Sequence, residues 1–118
     1  MALANASRAG VDVRLITPHI PDKKTIFYMT QSNYQVLIEA GVKVYEYTPG
    51  FIHSKTAVCD DKYAVVGTIN LDFRSLYLHH ECAAWMCGTD CIEPMKEDFI
   101  KTLESCRQID LSLSLIHI

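Results

Sequence analysis

Apolar and polar residues alternate in several stretches of the chain, and each stretch predicts a β-strand because successive strand side chains point to opposite faces. The predicted strands are residues 11–17, 42–47, 51–58, 63–67 and 81–86. An apolar spacing of three and four residues predicts helices at about 25–40, ended by Gly41, and at 91–109, with Asp90 as the N-cap. The first residues are typical of the last turns of a helix that ends at Gly10, and residues 75–78 fit neither pattern.

This order of elements predicts an α/β fold in which helices flank a mixed β-sheet. No repeat and no shift in composition divides the chain, so residues 1–109 are predicted to form a single domain. Because the chain opens on the end of a helix, we expect that domain to be truncated at its N-terminus. Residues 110–118 form a tail, and residues 113–118 match the translated end of a transposase adapter used in sequencing libraries. We therefore exclude 113–118, with His117, from functional interpretation.

Composition narrows the classes of protein that the chain can represent. Of its 118 residues, 49% are hydrophobic and 21% are charged, which is an ordinary globular mixture. The formal net charge of −3 provides no basic field, so nucleic acid is not expected as a partner. The five cysteines contain no CxxC pair and predict no zinc site. We expect reduced thiols packed as small apolar residues, in a cytosol-facing environment. No stretch approaches the roughly 20 apolar residues of a membrane span.

The first candidate catalytic residues lie in the predicted strand 51–58. Residues two apart in a strand share a face, so His53 and Lys55 are expected to point the same way. An imidazole beside an ammonium group makes a phosphate site that contains its own nucleophile. Lys55 is expected to supply positive charge to the phosphate oxygens and to favour the neutral, attacking form of His53.

A second group of candidates follows the next predicted strand. Gly67 frees the backbone there, and the Thr68 hydroxyl and the Asn70 amide are expected to donate hydrogen bonds to phosphate oxygens. Glu81 starts the following predicted strand. Its carboxylate is expected to hold the second ring nitrogen of His53 and so to fix the tautomer of the imidazole.

Together these residues form a pattern that resembles the phospholipase D superfamily, in which His-x-Lys is followed by Asp and then by Gly-Thr/Ser-x-Asn. Every spacing of that pattern is kept here, as His53, Lys55, Asp60, Gly67, Thr68 and Asn70. The resemblance places Asp60 among the catalytic residues. Its position beside Asp61 favours a turn-capping or lysine-pairing role instead.

Longer stretches resemble the C-terminal half of bacterial cardiolipin synthases, namely residues 10–14, 16–18, 20–23, 40–47, 49–53 and 67–76. The resemblance implies a phosphatidyltransferase half-domain that carries the second motif copy and needs no cofactor. It implies three partners: phosphatidylglycerol, an N-terminal half with the other motif, and the membrane in the full-length protein. The implied location is the bacterial cell membrane, with the catalytic domain facing the cytoplasm. Glu81 matches the family's acidic position, and His80 replaces the usual Phe before it.

In-line displacement at phosphorus needs two groups on opposite sides of the phosphorus, and one histidine cannot be both. The resemblance implies that one motif histidine attacks phosphatidylglycerol to form a phosphohistidine while the opposite one protonates the departing glycerol. A second phosphatidylglycerol then gives cardiolipin. We expect His53 to be the nucleophile, with the general-acid role as the alternative.

No metal is required, because Lys55 and its counterpart supply the positive charge. The other histidines, His19, His79 and His80, are expected to be surface or structural residues.

Two other functions stay open from the sequence. The chain can be a single-motif phosphodiesterase or nuclease that pairs into a homodimer, or a fragment that is inactive in isolation because its pairing face is exposed. The stretch 70–75 and the acidic charge argue against the nuclease. Within that stretch, Asp72 and Arg74 are expected either to form a structural pair or to bring Arg74 to a lipid phosphate.

Overall fold

The computed structural model describes residues 2–18, 34–71 and 74–109 of the chain. In chain order the elements are α1 (Ala2–Arg8), β1 (Arg14–Pro18), α2 (34–39), β2 (Lys43–Tyr47), β3 (Thr56–Cys59), β4 (Tyr63–Gly67), a π-helical turn (Arg74–Leu78), β5 (Ala83–Cys87), α3 (Ile92–Leu103) and β6 (Cys106–Ile109). They divide into two compact units, with boundaries between Ile52 and His53 and between Lys101 and Thr102. The predicted α/β class is confirmed.

The first unit contains a three-stranded mixed sheet with the order β1-β2-β6. β1 and β2 run parallel, in a register that pairs Arg14 with Lys43, and β6 runs antiparallel to β2. The buried cluster beneath this sheet consists of Tyr34, Leu37, Val42, Val44 and Ile109. Since α2 supplies two of these side chains, its apolar face holds it on the sheet.

Both helices of this unit end in the same way, which explains the two glycines there. After α1, the amide of Gly10 donates to Ser7 and that of Val11 to Ala6; Gly10 has a φ of 100°. After α2, Gly41 has a φ of 99° and Val42 donates to Leu37. These are Schellman motifs, in which the residue after the helix adopts a left-handed conformation that favours glycine. The predicted helix ends at Gly10 and Gly41 are confirmed.

A buried hydroxyl pair links α2 to β1. Tyr34 is only 2% exposed, and its phenol oxygen lies 2.8 Å from Oγ1 of Thr17. Burial removes water from the phenolate form, and this raises the pKa of Tyr34 to about 12. The folded state therefore favours the protonated phenol more strongly than the unfolded state does.

We expect the free energy of unfolding to fall between about pH 10 and pH 12, because the phenol of Tyr34 ionises in the unfolded chain before it does so in the folded one. Denaturant unfolding across this range measures the change, and Tyr34→Phe removes this contribution. At pH 7 we expect the same variant to lose roughly 1 kcal/mol, because the Thr17 hydroxyl loses a buried partner. If the free energy of unfolding fell as steeply with pH in Tyr34→Phe as in the original chain, the raised pKa of Tyr34 would not be the cause.

The second unit contains an antiparallel sheet with the order β3-β4-β5. The register pairs Thr56 with Val66 and Val66 with Ala84. Ala64 of β4 and Ile92 of α3 are each 1% exposed and form the buried centre of this unit. Strand β4 coincides with the predicted segment 63–67, and β5 begins two residues later than predicted.

Several boundaries predicted from the pattern are wrong. The strand predicted at 51–58 begins only at Thr56, because His53 would have to pair with Ile69 and β4 has already ended at Gly67. The helix predicted at 91–109 ends at Leu103, and the chain returns as β6. Its N-cap is Cys91, whose carbonyl accepts the first helical hydrogen bond, rather than Asp90. The unassigned segment 75–78 lies in the π-helical turn.

The expected packing of the cysteine thiols is also wrong. All five thiols are free, and four of them are exposed, namely Cys59, Cys82, Cys87 and Cys91. Cys59 lies in β3 and Cys87 in β5, whereas Cys82 directly precedes β5 and Cys91 directly precedes α3. The expectations for His19, residues 25–33, Asp72 and the tail 110–118 concern parts of the chain outside the described residues. No described helix is both long and apolar enough to cross a bilayer.

Candidate active site

An open cleft of about 370 Å³ lies at one end of the β3–β4 pair in the second unit. It is lined by His53, Ser54, Lys55, Thr56, Val66, Gly67, Thr68 and Asn70. Four of the side chains that the sequence predicts to bind or attack a phosphate therefore share one cavity: His53, Lys55, Thr68 and Asn70. Asp60 and Glu81 do not belong to this lining.

The segment before β3 brings His53 and Lys55 together without strand geometry. The carbonyl oxygen of Lys55 accepts a hydrogen bond of 3.2 Å from the amide of Gly67, which is the last link of the β3–β4 ladder. Lys55 Nζ donates to the carbonyl oxygen of His53 at 2.5 Å. The ammonium group is thereby tied to the backbone of the nucleophile candidate. Its two remaining hydrogens can serve a phosphate in the cleft.

Gly67 is required by the close approach of β4 and β5. A Cβ atom at this position would lie 2.6 Å from Cα of Ala83 and would also collide with the carbonyl oxygen of Cys82. Both are backbone atoms, which cannot turn aside as a flexible side chain can. The predicted reason for this glycine, a free backbone at the strand end, is therefore replaced by a steric one.

Thr68 is held by several hydrogen bonds beyond the end of β4. Its amide donates to the carbonyl oxygen of Cys82 at 2.9 Å, and its Oγ1 accepts from the amide of Cys82 at 3.0 Å. Its hydroxyl donates to Glu81 Oε2 at 2.5 Å, and the carbonyl oxygen of Cys82 lies 3.2 Å away. Thr68, which lines the cleft, is thus fixed to the two residues that precede β5.

Glu81 is not part of the lining of the cleft but contacts Thr68, which is. Its side chain is 15% exposed, and besides Thr68 it faces His79, whose Nδ1 lies 4.0 Å from Oε1. The expected contact of Glu81 with the ring of His53 stays a prediction. His79, expected to be a surface or structural residue, is a neighbour of this carboxylate. The signal for it in the sequence is the spacing of two residues between His79 and Glu81, which places both on one side of an extended segment.

Asp60 lies in the β3–β4 hairpin, at the opposite end of β3 from the cleft. Asp60 and Asp61 have φ values of 54° and 57°, and the amide of Lys62 donates to the carbonyl oxygen of Cys59 at 3.1 Å. This is the geometry of a type I′ turn. At about 3.3 Å per residue, Asp60 is roughly 13 Å along the chain from Thr56 in the cleft lining. The position favours the predicted turn role over direct chemistry.

We expect Asp60→Asn to fold as stably as the original chain, because Asn also tolerates a left-handed conformation, whereas Asp60→Ala should lose about 1 kcal/mol. The charge of Asp60 is the largest cause that raises the pKa of the Cys59 thiol. Asp60→Asn should therefore lower that pKa and speed alkylation of Cys59. Site-resolved mass spectrometry at pH 8 measures the rate, with Cys106 in the other unit as the internal control. An unchanged rate at Cys59 would contradict this placement of Asp60.

The cleft combines a nucleophile candidate, a cation and an amide in one solvent-open cavity. Such a set suits an anionic tetrahedral group, because Lys55 can neutralise its charge and Asn70 can donate to an oxygen while His53 faces the central atom. Across residues 2–18, 34–71 and 74–109, no three His, Cys, Asp or Glu side chains converge as a metal site would require.

Known proteins match nearly the whole chain. A family profile described as "Cardiolipin synthase, PLD-like domain" matches residues 1–103. Cardiolipin synthase 2 of Bacillus anthracis is 45% identical over 108 residues, which are 92% of this chain and 21% of that protein. Cardiolipin synthase of Geobacillus kaustophilus is 45% identical over 109 residues, or 92% and 22%. An uncharacterized protein of Streptococcus mutans is 52% identical over 111 residues, or 94% and 24%.

The chain therefore spans about a quarter or less of the length of these relatives. Among solved structures, it is similar to a phospholipase D family member, Nuc from Salmonella typhimurium, with a TM-score of 0.78 at 17% identity. That match covers 92% of this chain and 70% of the other, and it supports the fold alone. With the family profile matched over residues 1–103, the chain belongs to the family of cardiolipin synthase phospholipase D-like domains.

Proposed function

We propose that residues 1–109 are one catalytic half of a phosphatidyltransferase, which makes cardiolipin from two phosphatidylglycerols and releases glycerol. The observation that carries the proposal is the cleft in which His53, Lys55 and Asn70 share one cavity. The names of the Bacillus and Geobacillus relatives support the choice of a lipid substrate. Phospholipid chemistry of the phospholipase D type follows from the family; the individual steps are our proposal.

In the first step, a ring nitrogen of His53 attacks the phosphorus of phosphatidylglycerol. A P–N bond forms as the P–O bond to the terminal glycerol breaks, and an opposing histidine gives its proton to the departing glycerol oxygen. The product is a phosphatidyl-histidine. Lys55 and Asn70 stabilise the charge on the phosphate oxygens during the displacement. The alternative assignment makes His53 the proton donor and the opposing histidine the nucleophile.

In the second step, the terminal hydroxyl of another phosphatidylglycerol attacks the same phosphorus. The opposing histidine, now neutral, accepts the hydroxyl proton while the P–N bond breaks. Cardiolipin leaves, and both histidines return to their starting protonation states. The reaction consumes no metal and no redox cofactor, since protons and one phosphatidyl group are all that move.

The opposing histidine is proposed to come from another half-domain that carries a second His-x-Lys motif. The relatives provide ample length for it, since the chain matches only 21–24% of each of the three described above. In such a protein we place the catalytic halves at the cytoplasmic face of the bacterial cell membrane, where phosphatidylglycerol is present. Asp60 is proposed to act only through the hairpin turn.

The proposal is tested by a chimaera in which the 108 matched residues of this chain replace their counterparts in Bacillus anthracis cardiolipin synthase 2. Purified in detergent with phosphatidylglycerol, the chimaera should produce cardiolipin and glycerol in equal amounts. A well-folded chimaera that produces neither, beside an active parent, would contradict the proposal.

The isolated chain serves as the companion experiment. It is assayed with phosphatidylglycerol and with bis(p-nitrophenyl) phosphate, and its mass is measured by sedimentation. We expect a chain without its opposing histidine to turn over neither substrate. A dimer that hydrolyses the generic diester would instead favour the single-motif phosphodiesterase.

A further inference from the structure

The hydroxyl of Thr68 cannot serve a phosphate in the way that its residue type suggests. A threonine hydroxyl has one hydrogen to donate. In the structure two acceptors lie within reach of that hydrogen, Glu81 Oε2 at 2.5 Å and the carbonyl oxygen of Cys82 at 3.2 Å, and the hydroxyl oxygen accepts from the amide of Cys82 at 3.0 Å. An anionic phosphate oxygen near Thr68 would therefore compete with acceptors of the protein for the single hydroxyl hydrogen.

Glu81 needs these contacts as much as Thr68 does. A carboxylate that is only 15% exposed loses most of its hydration and must be anchored by donors or positive charge. Thr68 occupies Oε2, and His79 lies 4.0 Å from Oε1, within ion-pair range for an imidazolium. The two carboxylate oxygens thus face partners from two different segments, one that lines the cleft and one that precedes β5.

We propose that Glu81 and His79 are positioning residues that act on the cleft through Thr68. The inference rests on the proposed function for what the cleft does, and on the hydrogen bonds for how it is held. His79 orients Glu81, Glu81 holds the Thr68 hydroxyl, and Thr68 joins the end of β4 to Cys82, the residue before β5. The donors left for the phosphate are Lys55 and Asn70.

The contacts among His79, Glu81 and Thr68 have a consequence for Asn70, the amide donor in the cleft. Asn70 lies two residues after Thr68, so a rotation at Thr68 moves the amide that must meet the phosphate oxygen. An error of about 1 Å at such a donor costs on the order of 10²-fold in rate. Fixing Thr68 at its amide and at its hydroxyl removes that freedom.

The test in the isolated chain uses the amide of Cys82 as the reporter, because it donates directly to Thr68 Oγ1. In ¹⁵N NMR spectra, Thr68→Val should shift this amide upfield. Glu81→Ala should shift it in the same direction, because the released hydroxyl rotates. His79→Ala should shift it less, and His79→Lys, which places an ammonium group at this position, should restore it. Thr68→Ser and His80→Ala are the matched controls and should leave it in place.

The outcomes separate the two roles of Glu81. An unmoved Cys82 amide in Glu81→Ala would overturn the proposal, and so would movement of the His53 ring signals alone. Because this measurement needs no turnover, it stands even if the chimaera makes no cardiolipin.

In an active chimaera, Glu81→Ala and Thr68→Val should each lower kcat about 10- to 100-fold, with KM within about twofold. The double variant should be no more than about twofold worse than the poorer single variant, because both changes break one chain of contacts. His79→Lys should rescue most of the activity that His79→Ala loses. Losses that multiply, or a rise in KM alone, would contradict a positioning role.

Discussion

In the chimaera, His53→Ala is expected to lower cardiolipin synthesis by at least about 10⁴-fold, the scale of loss when a covalent nucleophile is removed. Without the imidazole no P–N bond can form, and water or a second lipid would have to attack phosphorus directly. The measurement is the initial rate of cardiolipin formation from phosphatidylglycerol. Binding of the lipid should change little, because Lys55 and Asn70 remain in the cleft.

The matched control for this result is His80→Ala, which removes an exposed imidazole outside the lining of the cleft. We expect its rate to stay within about threefold of the unsubstituted chimaera, as for an exposed residue that carries no step of the reaction. Comparable losses in the two variants would show that the assay reports folding instead of chemistry. Substantial synthesis of cardiolipin by the His53→Ala variant would show that His53 is not the nucleophile.

The largest loss of stability is expected for Gly67→Ala. The new Cβ would lie 2.6 Å from Cα of Ala83 and closer still to the carbonyl oxygen of Cys82, so β4 and β5 would have to separate. Overpacking against backbone costs roughly 1–3 kcal/mol or more. We expect about 3 kcal/mol, measured by urea unfolding of the chain. Because Thr68 follows directly, the same change should also spoil the cleft.

Gly50→Ala provides the matched control, since a Cβ there meets nothing within 4 Å and Gly50 is not among the glycines with positive φ. We expect its free energy of unfolding to change by less than about 1 kcal/mol. If both substitutions lowered the free energy of unfolding by a similar amount, the loss would have to come from backbone entropy. In that case the contact between β4 and β5 would not be the reason for Gly67.

Local rules predicted the elements whose ends are set by neighbouring residues. The bounds of β4 agree with the predicted segment 63–67, because its alternating pattern is bounded by a turn on one side and a glycine on the other. The ends of α1 and α2 followed from Gly10 and Gly41, since a left-handed residue after a helix favours glycine. In these cases the deciding interaction lies within a few residues of the chain.

The errors occur where a distant segment decides the structure. β6 was predicted as helix because no Gly or Pro separates it from α3; it becomes a strand by pairing with β2, far away in the sequence. The segment 51–55 was predicted as strand because its own pattern fits one, but β4 offers it no partner beyond Gly67. Pairing partners of this kind cannot be read from local periodicity.

The same division applies to the candidate site. The motif predicted which side chains meet in the cleft, because its fixed spacing reflects one hairpin, with Lys55 and Gly67 opposite each other. It did not predict the direction of the Thr68 hydroxyl or the approach of His79 to Glu81, since both depend on how the chain returns to β5. Side-chain direction beyond the hairpin needed the three-dimensional structure.

The most direct test of the central claim is to trap the intermediate. The chimaera is mixed with phosphatidylglycerol labelled in the phosphate, quenched within one turnover, digested, and analysed by mass spectrometry under alkaline conditions that preserve phosphohistidine. Our account predicts a phosphatidyl group on His53 that disappears when more phosphatidylglycerol is added before the quench. Label on the opposing histidine with none on His53, or no covalent species despite a normal rate of synthesis, would contradict it.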